Sequence, residues 1–301
     1  MKIAITGGTG FIGRHLAHDL IERGNEVVII ARGQYTRNTR PIEGATFVSL
    51  DINDTDKLQE AFRWCGAVAH CAGTSVEDAN QTFQKLHVEG TRSAVNAAER
   101  AGVKKFVLVS YLTVRPNVNS PYHTTKWQGE EIVRASKLNY TILKAGLVYG
   151  QGDHLLNNLI NLFNRMPIFA TVGLKEKTVR LVAVEDLVAV IRASLLYENR
   201  LSRQTVAVLG PEEFPFSQAA RRIAKTMGKP FLIVLPFPVI FQQMLAWFSE
   251  RFMPKPLVTK SQVQMLADGV SRPTPDSLML PDDLAPKTFF SEEQIRKGLP
   301  K

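Results

Sequence analysis

The sequence predicts a doubly wound α/β fold, in which a parallel sheet carries helices on both faces, with a smaller C-terminal lobe. Three observations support this prediction. Short β-branched runs alternate with amphipathic stretches through the first half of the chain. A glycine-rich turn directly follows the first of these runs. After about residue 150, prolines become frequent and strand-like runs become sparse.

The first half of the chain consists of alternating strands and helices. Strands are predicted over 2–6, 26–31, 45–50, 67–71, 106–109 and 140–145. Helices are predicted over 11–23, 55–64, 81–101 and 124–136. Gly24 and Gly102 stand where two of these helices should end. Two later runs, 179–184 and 205–209, flank a helix over 185–197 and are expected to return to the same sheet.

Composition excludes several classes of protein. Of 301 residues, 45% are hydrophobic and 22% are charged, which is typical of a globular chain rather than a disordered one. Cys65 and Cys71 lack zinc-site or disulfide-framework spacing, so we expect no metal and a reducing, cytoplasmic compartment. No apolar run is long enough for a transmembrane helix. The net charge of +9 is divided between the two halves without a basic run, so we expect no nucleic-acid partner.

The glycine-rich turn predicts a phosphate-binding loop. Gly7, Gly10 and Gly13 have G-x-x-G-x-x-G spacing between the first strand and the first helix. Gly7 permits a tight turn, Gly10 lets the backbone approach a pyrophosphate, and Gly13 lets the helix pack on the strand. Free N–H groups at the start of the helix favour an anion. The candidate cofactor-binding residues in this loop are Gly7, Thr9, Gly10, Phe11, Ile12 and Gly13.

The motif TGGTGFIG at 6–13 resembles the extended and atypical short-chain dehydrogenase/reductases, the NAD(P)-dependent epimerase/dehydratase family. The resemblance implies a Rossmann-type domain and covers most of the chain. GLVYGQGD at 146–153, V-x-V-x-D-L at 182–187 and LGPEEFPFSQ at 209–218 are most similar to one atypical subgroup. That subgroup is related to the nucleotide-binding accessory subunit of respiratory complex I, and it mixes presumed enzymes with structural nucleotide binders.

The end of the second strand bears on the choice of dinucleotide. An NAD site usually has a carboxylate there for the ribose hydroxyls, but this chain reads Ile30-Ala31-Arg32. The guanidinium of Arg32, and less directly that of Arg37, can pair with a 2′-phosphate. We therefore expect NADP(H) rather than NAD(H), with an ordinary solvated basic loop as the alternative.

Other cofactor contacts follow from the family resemblance alone. Asp51 and Ile52 occupy the family's D-x-x-D turn, which implies contacts to the adenine. Cys71, Ala72 and Gly73 end the fourth strand where the family's backbone lines the cofactor. Gly146 and Val148 fall in the segment that runs beside the nicotinamide in the family.

A Y-x-x-x-K pair supplies the candidate catalytic residues. Tyr122 and Lys126 stand four residues apart and would share one face of a helix. We expect the Lys126 ammonium to lower the Tyr122 pKa, so that Tyr122 acts as general acid or base. Lys126 would also hold the ribose hydroxyls. The resemblance implies a further hydroxyl after the fifth strand, for which Ser110 and Thr113 are the candidates.

The proline-rich C-terminal part is predicted as a separate lobe. We expect a dinucleotide-binding domain over 1–150, rejoined by 179–209, and a substrate-binding lobe over 151–178 and 210–301. The most apolar stretch, 231–248, is interpreted first as the core of that lobe. The alternative is peripheral contact of 231–260 with an anionic membrane.

The predicted function is an NADP(H)-dependent oxidoreductase or epimerase/dehydratase-type enzyme acting on a carbonyl or hydroxyl of a small molecule, with a lipophilic molecule as one option. The alternative is a non-catalytic NAD(P)-binding protein with a structural, assembly or redox-sensing role. The sequence leaves the substrate open. It also leaves the oligomeric state open, with a homodimer among the options.

Overall fold

The computed structural model describes residues 1–33, 41–78, 81–197, 199–229, 231–252 and 259–299. Within them the chain divides into two compact units. Unit 1 comprises Met1–Lys144, Leu187–Ala207 and Thr274–Leu280. Unit 2 comprises Ala145–Asp186, Val208–Pro273 and Pro281–Lys301. The chain therefore passes from one unit to the other several times.

The elements of the described chain are as follows. The strands are β1 (Lys2–Thr6), β2 (Glu26–Ala31), β3 (Ala45–Ser49), β4 (Ala67–His70), β5 (Lys105–Tyr111), β6 (Asn139–Ala145), β7 (Val148–Tyr149), β8 (Ile168–Val172), β9 (Thr178–Val179), β10 (Val182–Ala183), β11 (Gln204–Val208), β12 (Phe214–Pro215), β13 (Ile233–Phe237) and β14 (Leu278–Met279). The helices are α1 (Phe11–Glu22), α2 (Thr55–Phe62), α3 (Gly90–Arg100), α4 (Pro121–Arg134), α5 (His154–Arg165), α6 (Val184–Leu196), α7 (Phe216–Thr226), α8 (Val239–Phe252), α9 (Lys260–Asp268) and α10 (Glu292–Gly298). A π-helical segment over Gln84–Glu89 runs directly into α3.

An eight-stranded sheet forms the centre of unit 1, and the predicted doubly wound fold is confirmed. Its strand order is β14-β11-β6-β5-β4-β1-β2-β3. β1 pairs in parallel with both β2 and β4, and Thr6 lies opposite Ile30 and His70. The carboxyl ends of these three strands therefore meet at one edge. The strand order reverses between β1 and β4, which is where ligands bind in folds of this kind.

Local chemistry explains why the central strands and helices form where they do. β2 reads EVVIIA, and four of its six residues are buried, as expected of a strand covered on both faces. α4 begins at Pro121, three residues before the predicted start, because proline at the first helical position needs no N–H partner. This earlier start includes Tyr122 in the helix.

The chain after residue 150 differs from the prediction in several elements. The predicted strand over 179–184 is divided into β9 and β10, which pair in two-stranded sheets within unit 2, while β11 joins the main sheet beside β6. The sequence did not predict β8, which pairs in parallel with β13 over five residues. None of the described helices is long and apolar enough to cross a membrane.

The prediction that 231–248 forms the core of the smaller lobe is wrong for its large side chains. Phe241, Trp247 and Phe248 are each just over half exposed on α8. The buried positions of this helix are instead Gln242, Ala246 and Ser249. The core of unit 2 is built elsewhere, from aromatic side chains of β7, α5, β8, β12, α7 and the C-terminal segment: Tyr149, Phe163, Phe169, Phe214, Phe216 and Phe290.

Candidate functional site

The glycine loop of unit 1 is shaped by backbone packing. Gly7 has φ +68°, and a Cβ there would lie 2.8 Å from the Cα of Ala72 at the end of β4. A Cβ at Gly13 would overlap the Gly7 carbonyl oxygen. Both positions therefore require glycine, because a side chain would push the loop away from the neighbouring backbone.

The start of α1 presents hydrogen-bond donors to an anion. Gly10 is the N-cap, and among the described residues no side chain caps this end of the helix or places a carboxylate in its first turn. The first N–H groups, which include those of Phe11 and Ile12, lack intrahelical partners and carry the positive end of the helix dipole. The two side chains are half-buried at this position.

A cavity of about 360 Å³ lies at the carboxyl edge of the sheet in unit 1. Ten of its lining residues come from the glycine loop, the end of β2 and the segment after β4: Gly7, Thr9, Gly10, Ile30, Ala31, Arg32, Gly33, Cys71, Ala72 and Gly73. Leu50, Ile52, Gln81 and Leu86 complete the lining. The structure thus brings together eight of the sixteen predicted cofactor residues around one space.

Arg32 stands at the rim of this cavity, on the exposed side of β2. Its guanidinium donates a hydrogen bond to the Gln81 side-chain oxygen. A second cavity of about 290 Å³ is lined by Arg32, Lys85 and Asp51, among others. Two cationic side chains, Arg32 and Lys85, and two acidic ones, Asp51 and Glu89, therefore line one space at the predicted adenine turn. Arg37 lies outside the described residues.

Asp51 begins a turn that holds its own carboxylate. Its Oδ1 accepts hydrogen bonds from the backbone N–H and the side-chain amide of Asn53, both at 2.9 Å. Ile52 is buried and lines both cavities, whereas Asp51 lines only the second. Asp54 caps α2 through Lys57 N–H, which leaves Asp51 free of that structural task.

Tyr122 is surrounded by aromatic rings. The rings of Phe83, His87, Tyr111 and His123 lie edge-on to it, with centroid distances between 5.5 and 5.9 Å. No hydrogen bond joins the Tyr122 hydroxyl to another of the described residues. Burial raises the Tyr122 pKa above that of an exposed tyrosine. The predicted lowering of this pKa by Lys126 is therefore wrong, because desolvation is the dominant effect.

Lys126 lies one helical turn after Tyr122 and reaches the edge of the cavity. Its Nζ donates to the Val109 carbonyl oxygen at 3.3 Å, and it lies 3.2 Å from the place where a Gly73 Cβ would stand. Burial lowers the Lys126 pKa to about 8, against the opposing influence of the Glu130 carboxylate and Cys71. Burial also raises the Cys71 pKa to about 12, which makes this cysteine a poor nucleophile.

His87 connects the loop after β4 to α4. Its Nε2 accepts from Thr74 N–H at 3.3 Å, and its Nδ1 lies 3.1 Å from Thr125 Oγ1. Burial lowers the His87 pKa to about 2, and the Lys126 charge acts in the same direction. His87 is therefore neutral, and its ring stacks on Phe83 at 5.4 Å.

The two predicted accessory hydroxyls are both engaged with protein groups. Ser110 Oγ donates to Glu130 Oε1 at 2.5 Å, and Glu130 is wholly buried. Thr113 Oγ1 lies 3.0 Å from His123 Nε2, and the other nitrogen of His123 lies 3.0 Å from Ser120 Oγ. Neither hydroxyl therefore stands beside Tyr122 as an unengaged donor.

Gly146 and Val148, predicted to lie beside the nicotinamide, belong to unit 2. Gly146 N–H donates to the Val208 carbonyl oxygen at 3.0 Å, and a Cβ on Gly146 would lie 2.9 Å from the Arg180 carbonyl oxygen. Val148 lies in β7, opposite Val182 of β10.

Sequence reasoning missed some residues that the structure places at the cavities. Gln81 and Leu86 line the first cavity, and Lys85 lines the second. No motif marks Gln81, which enters from an irregular segment. Lys85 and Leu86 lie in the π-helical segment, where the spacing of side chains departs from the 3.6-residue period used to assign a helix face.

Comparison with known proteins agrees with the fold and the loop. Residues 3–210 match the model of the family described as the NAD dependent epimerase/dehydratase family, which confirms the resemblance predicted from the sequence. The mitochondrial NADH-ubiquinone oxidoreductase 40 kDa subunit of Neurospora crassa is 23% identical over 310 residues, covering 98% of this chain and 79% of the relative. A relative of this kind agrees with the predicted subgroup.

Two further similarities concern enzymes. Ceramide reductase of Caulobacter vibrioides is 32% identical over 244 residues, covering 79% of this chain and 74% of the relative. Among solved structures, UDP-glucuronic acid 4-epimerase from Bacillus cereus, in complex with UDP-glucuronic acid and NAD, aligns with a TM-score of 0.73 at 19% identity. That alignment covers 99% of this chain and 98% of the other, and at this identity it shows a shared fold.

Proposed function

The chain belongs to the NAD dependent epimerase/dehydratase family, and from that membership we propose that it is an NADP(H)-dependent oxidoreductase acting on a carbonyl or hydroxyl of a small, lipophilic molecule. One observation carries the proposal: Tyr122, whose hydroxyl has no partner among the described residues, stands one helical turn before Lys126, and the Lys126 Nζ lies beside Gly73 of the cavity lining. The relative named ceramide reductase supports a lipophilic substrate.

The residues of unit 1 fit a dinucleotide. The glycine loop keeps its close approach to the neighbouring backbone because Gly7 and Gly13 lack side chains, and the uncapped start of α1 suits a pyrophosphate. Ile52, Ala72 and Gly73 offer apolar and backbone surface along the cavity. A bound nicotinamide would supply hydride exchange.

The environment of Tyr122 keeps its hydroxyl protonated. Burial raises its pKa, which disfavours the phenolate that a general base needs, so at neutral pH Tyr122 is available only as a proton donor to a carbonyl oxygen that gains charge. Lys126, one turn later on the same helix, is mostly cationic at neutral pH because its lowered pKa is about 8. The surrounding rings bury most of the Tyr122 side chain. These residues therefore suit carbonyl reduction better than alcohol oxidation.

The NADP(H) preference rests on Arg32. No carboxylate stands at the end of β2, and Arg32 shares a cavity with Lys85.

Titration calorimetry with NADPH and with NADH should show tighter binding of NADPH. Arg32→Ala should weaken NADPH binding by about 1.5–3 kcal/mol, roughly 10- to 100-fold, and leave NADH binding nearly unchanged. Arg63→Ala, a change of an exposed arginine at the end of α2, is the matched control. Equal losses for both dinucleotides would remove the 2′-phosphate assignment.

Turnover tests the catalytic assignment. With NADPH and a panel of lipophilic ketones and aldehydes, Tyr122→Phe should reduce kcat by roughly 100-fold or more while NADPH affinity stays within about twofold. Such a result would separate proton donation from cofactor binding. Unchanged turnover in the variant would contradict the role of Tyr122.

A second candidate function is a non-catalytic NAD(P)-binding role in an assembly or in redox sensing. The engagement of Ser110 with Glu130 and of Thr113 with His123 favours it, because neither hydroxyl is free to bind a substrate oxygen. The 40 kDa subunit relative also favours it. In that case NADPH binds, no carbonyl substrate turns over, and Tyr122→Phe has no biological effect.

A further inference from the structure

The surface of β13 and α8 in unit 2 is unusually apolar. Eleven of the nineteen exposed large hydrophobic side chains in the described chain fall between 231 and 252: Phe231, Ile233, Leu235, Phe237, Ile240, Phe241, Met244, Leu245, Trp247, Phe248 and Phe252. We call these eleven side chains the apolar face. A contiguous patch of this kind marks a binding surface on a folded protein.

α8 is oriented opposite to an ordinary amphipathic helix. Its inward positions are Gln242, Ala246 and Ser249, spaced four and three residues apart, whereas its large apolar residues point outward. Gln242 fixes this orientation, because its side-chain amide donates to the Thr171 carbonyl oxygen of β8 at 2.7 Å in a buried contact. The exposure of the apolar face is therefore a property of how the helix is anchored.

Ring contacts join the strand and the helix into one surface. Phe237 of β13 lies 6.0 Å from Phe241 of α8 between ring centroids. At the far end of the helix, Phe252 contacts Phe248 at 4.7 Å and Trp247 at 6.4 Å. The Arg251 guanidinium lies 5.9 Å from the Phe252 ring, so a cation stands beside the aromatic end of the face.

The chain segment that forms this face is positively charged. Residues 221–260 carry seven Lys or Arg and one Glu, a net charge of +6 out of +9 for the whole chain. Arg251 and Lys260 of this segment are exposed, whereas Arg222 is paired with Glu212. A second copy docking by this same face would bring two such charges together, which opposes self-association. An anionic bilayer is complementary to both the apolar face and the positive charge. Its interior can hold the apolar side chains, and its negatively charged headgroups attract the cations.

We propose that the apolar face of β13 and α8 docks unit 2 onto the surface of a membrane containing anionic phospholipids. α8 has 14 residues, about 21 Å of helix, which is too short to cross the roughly 30 Å hydrocarbon layer. It lies in the plane of the interface, with Trp247 and the phenylalanines entering the headgroup region. The docking is independent of the proposed reductase activity.

Vesicle co-sedimentation of the full chain tests the proposal. Wild type should bind mixed phosphatidylcholine/phosphatidylglycerol vesicles much more strongly than phosphatidylcholine alone, and Trp247→Ala/Phe248→Ala should lose roughly tenfold in partitioning. Both side chains are about half exposed, so the fold should survive their removal. Trp64→Ala, which removes an 82% exposed tryptophan from unit 1, is the matched control and should bind as wild type does.

A second pair of variants tests the charge. Arg251→Glu/Lys260→Glu should lose binding to the anionic vesicles, whereas Lys104→Glu/Arg63→Glu, with two exposed residues of unit 1, should retain it. Failure of wild type to bind anionic vesicles would overturn the proposal. So would equal binding by the Trp247→Ala/Phe248→Ala variant, or light scattering that shows a wild-type dimer which this variant dissociates.

Discussion

At the scale of single residues, burial gives Tyr122 and Lys126 different protonation behaviour. Tyr122 keeps its proton far into the alkaline range because desolvation raises its pKa. Lys126, with a pKa lowered to about 8, is mostly cationic at pH 7 and becomes neutral just above it. The helix face therefore presents a proton donor and a cation at neutral pH, and it loses the cation first as pH rises.

Lys126→Met should reveal the cost of keeping this cation buried. The Lys126 pKa of about 8 in the folded chain lies below that of an unfolded lysine. The unfolded chain therefore binds the proton more readily between about pH 8 and 10. As a result, the wild-type protein becomes more stable as pH rises through this range. We expect the variant to be more stable than wild type by roughly 1–3 kcal/mol at pH 7, with the difference shrinking by pH 10.

Urea unfolding at pH 7 and pH 10 measures this difference. Lys104→Met replaces an exposed lysine of unit 1 and should show little change at either pH. A Lys126→Met variant less stable than wild type at pH 7 would mean that the hydrogen bond to Val109 and the attraction of the Glu130 carboxylate outweigh the desolvation of Lys126.

At the scale of elements, two glycines of the loop have different roles: Gly13 is needed for packing, and Gly10 leaves room for the dinucleotide. Gly13 packs against the Gly7 carbonyl, whereas a Cβ at Gly10 would meet only that same oxygen, at 3.1 Å, and Gly10 lines the cavity. Gly13→Ala should therefore lower the free energy of unfolding by about 1–3 kcal/mol. Gly10→Ala should cost less stability but weaken dinucleotide binding, because the methyl group occupies ligand space.

Thermal melts and calorimetric titration with NADPH distinguish the two effects. Gly33→Ala is the control for the stability measurement, since a Cβ there meets nothing within 4 Å and Gly33, like Gly10 and Gly13, has no left-handed φ. If Gly10→Ala and Gly13→Ala lost the same amount of stability and the same amount of NADPH affinity, the separate roles assigned to the two glycines would be wrong.

Local patterns predicted the elements that depend on local chemistry. The β-branched runs of β1 and β2, the glycine loop and the four-residue spacing of Tyr122 and Lys126 each follow from neighbours in the chain. The partner of Ser110 lies twenty residues later on α4, so no local pattern could reveal that its hydroxyl is engaged by Glu130. The composition of 231–248 likewise showed that this stretch is apolar, but whether another element covers it is a tertiary property.

At the scale of the whole molecule, unit 1 is closed by a late segment of the chain. Lys144 is fully buried at the end of β6, where its Nζ donates to the Val114 carbonyl and Thr274 hydroxyl and pairs with Asp276 at 2.6 Å. Asp276 also accepts from Arg134 at 2.9 Å. Asp276, 132 residues after Lys144 in the chain, therefore neutralises a buried cation whose charge would be costly if unpaired.

Asp276→Asn should lower the free energy of unfolding by roughly 1–3 kcal/mol at pH 7, since Lys144 keeps Glu130 at 3.3 Å as its other carboxylate. Burial acts to raise the Asp276 pKa, but hydrogen bonds from Lys144 and Thr274 and the nearby cations hold it below its ordinary value. The stabilisation is therefore present above pH 4 and fades as pH falls through that lowered pKa.

Chemical denaturation at pH 7 and near pH 3 checks this prediction. Glu43→Gln neutralises an exposed carboxylate of unit 1 and should leave stability nearly unchanged. An Asp276→Asn variant as stable as wild type at pH 7 would show that Glu130 and the backbone acceptor suffice for Lys144.

The two-residue strand β14 has a consequence for the newborn chain. Val206 and Ala207 of β11 pair with Leu278 and Met279, so the outermost position of the sheet is filled only by a segment near the C-terminal end. Until the ribosome has released that segment, β11 is the border of the sheet and presents unpaired N–H and C=O groups. Neighbouring nascent chains on one messenger RNA would expose these unpaired edges to one another, which favours pairing between chains. Synthesis of β14 covers the edge and removes this route to aggregation.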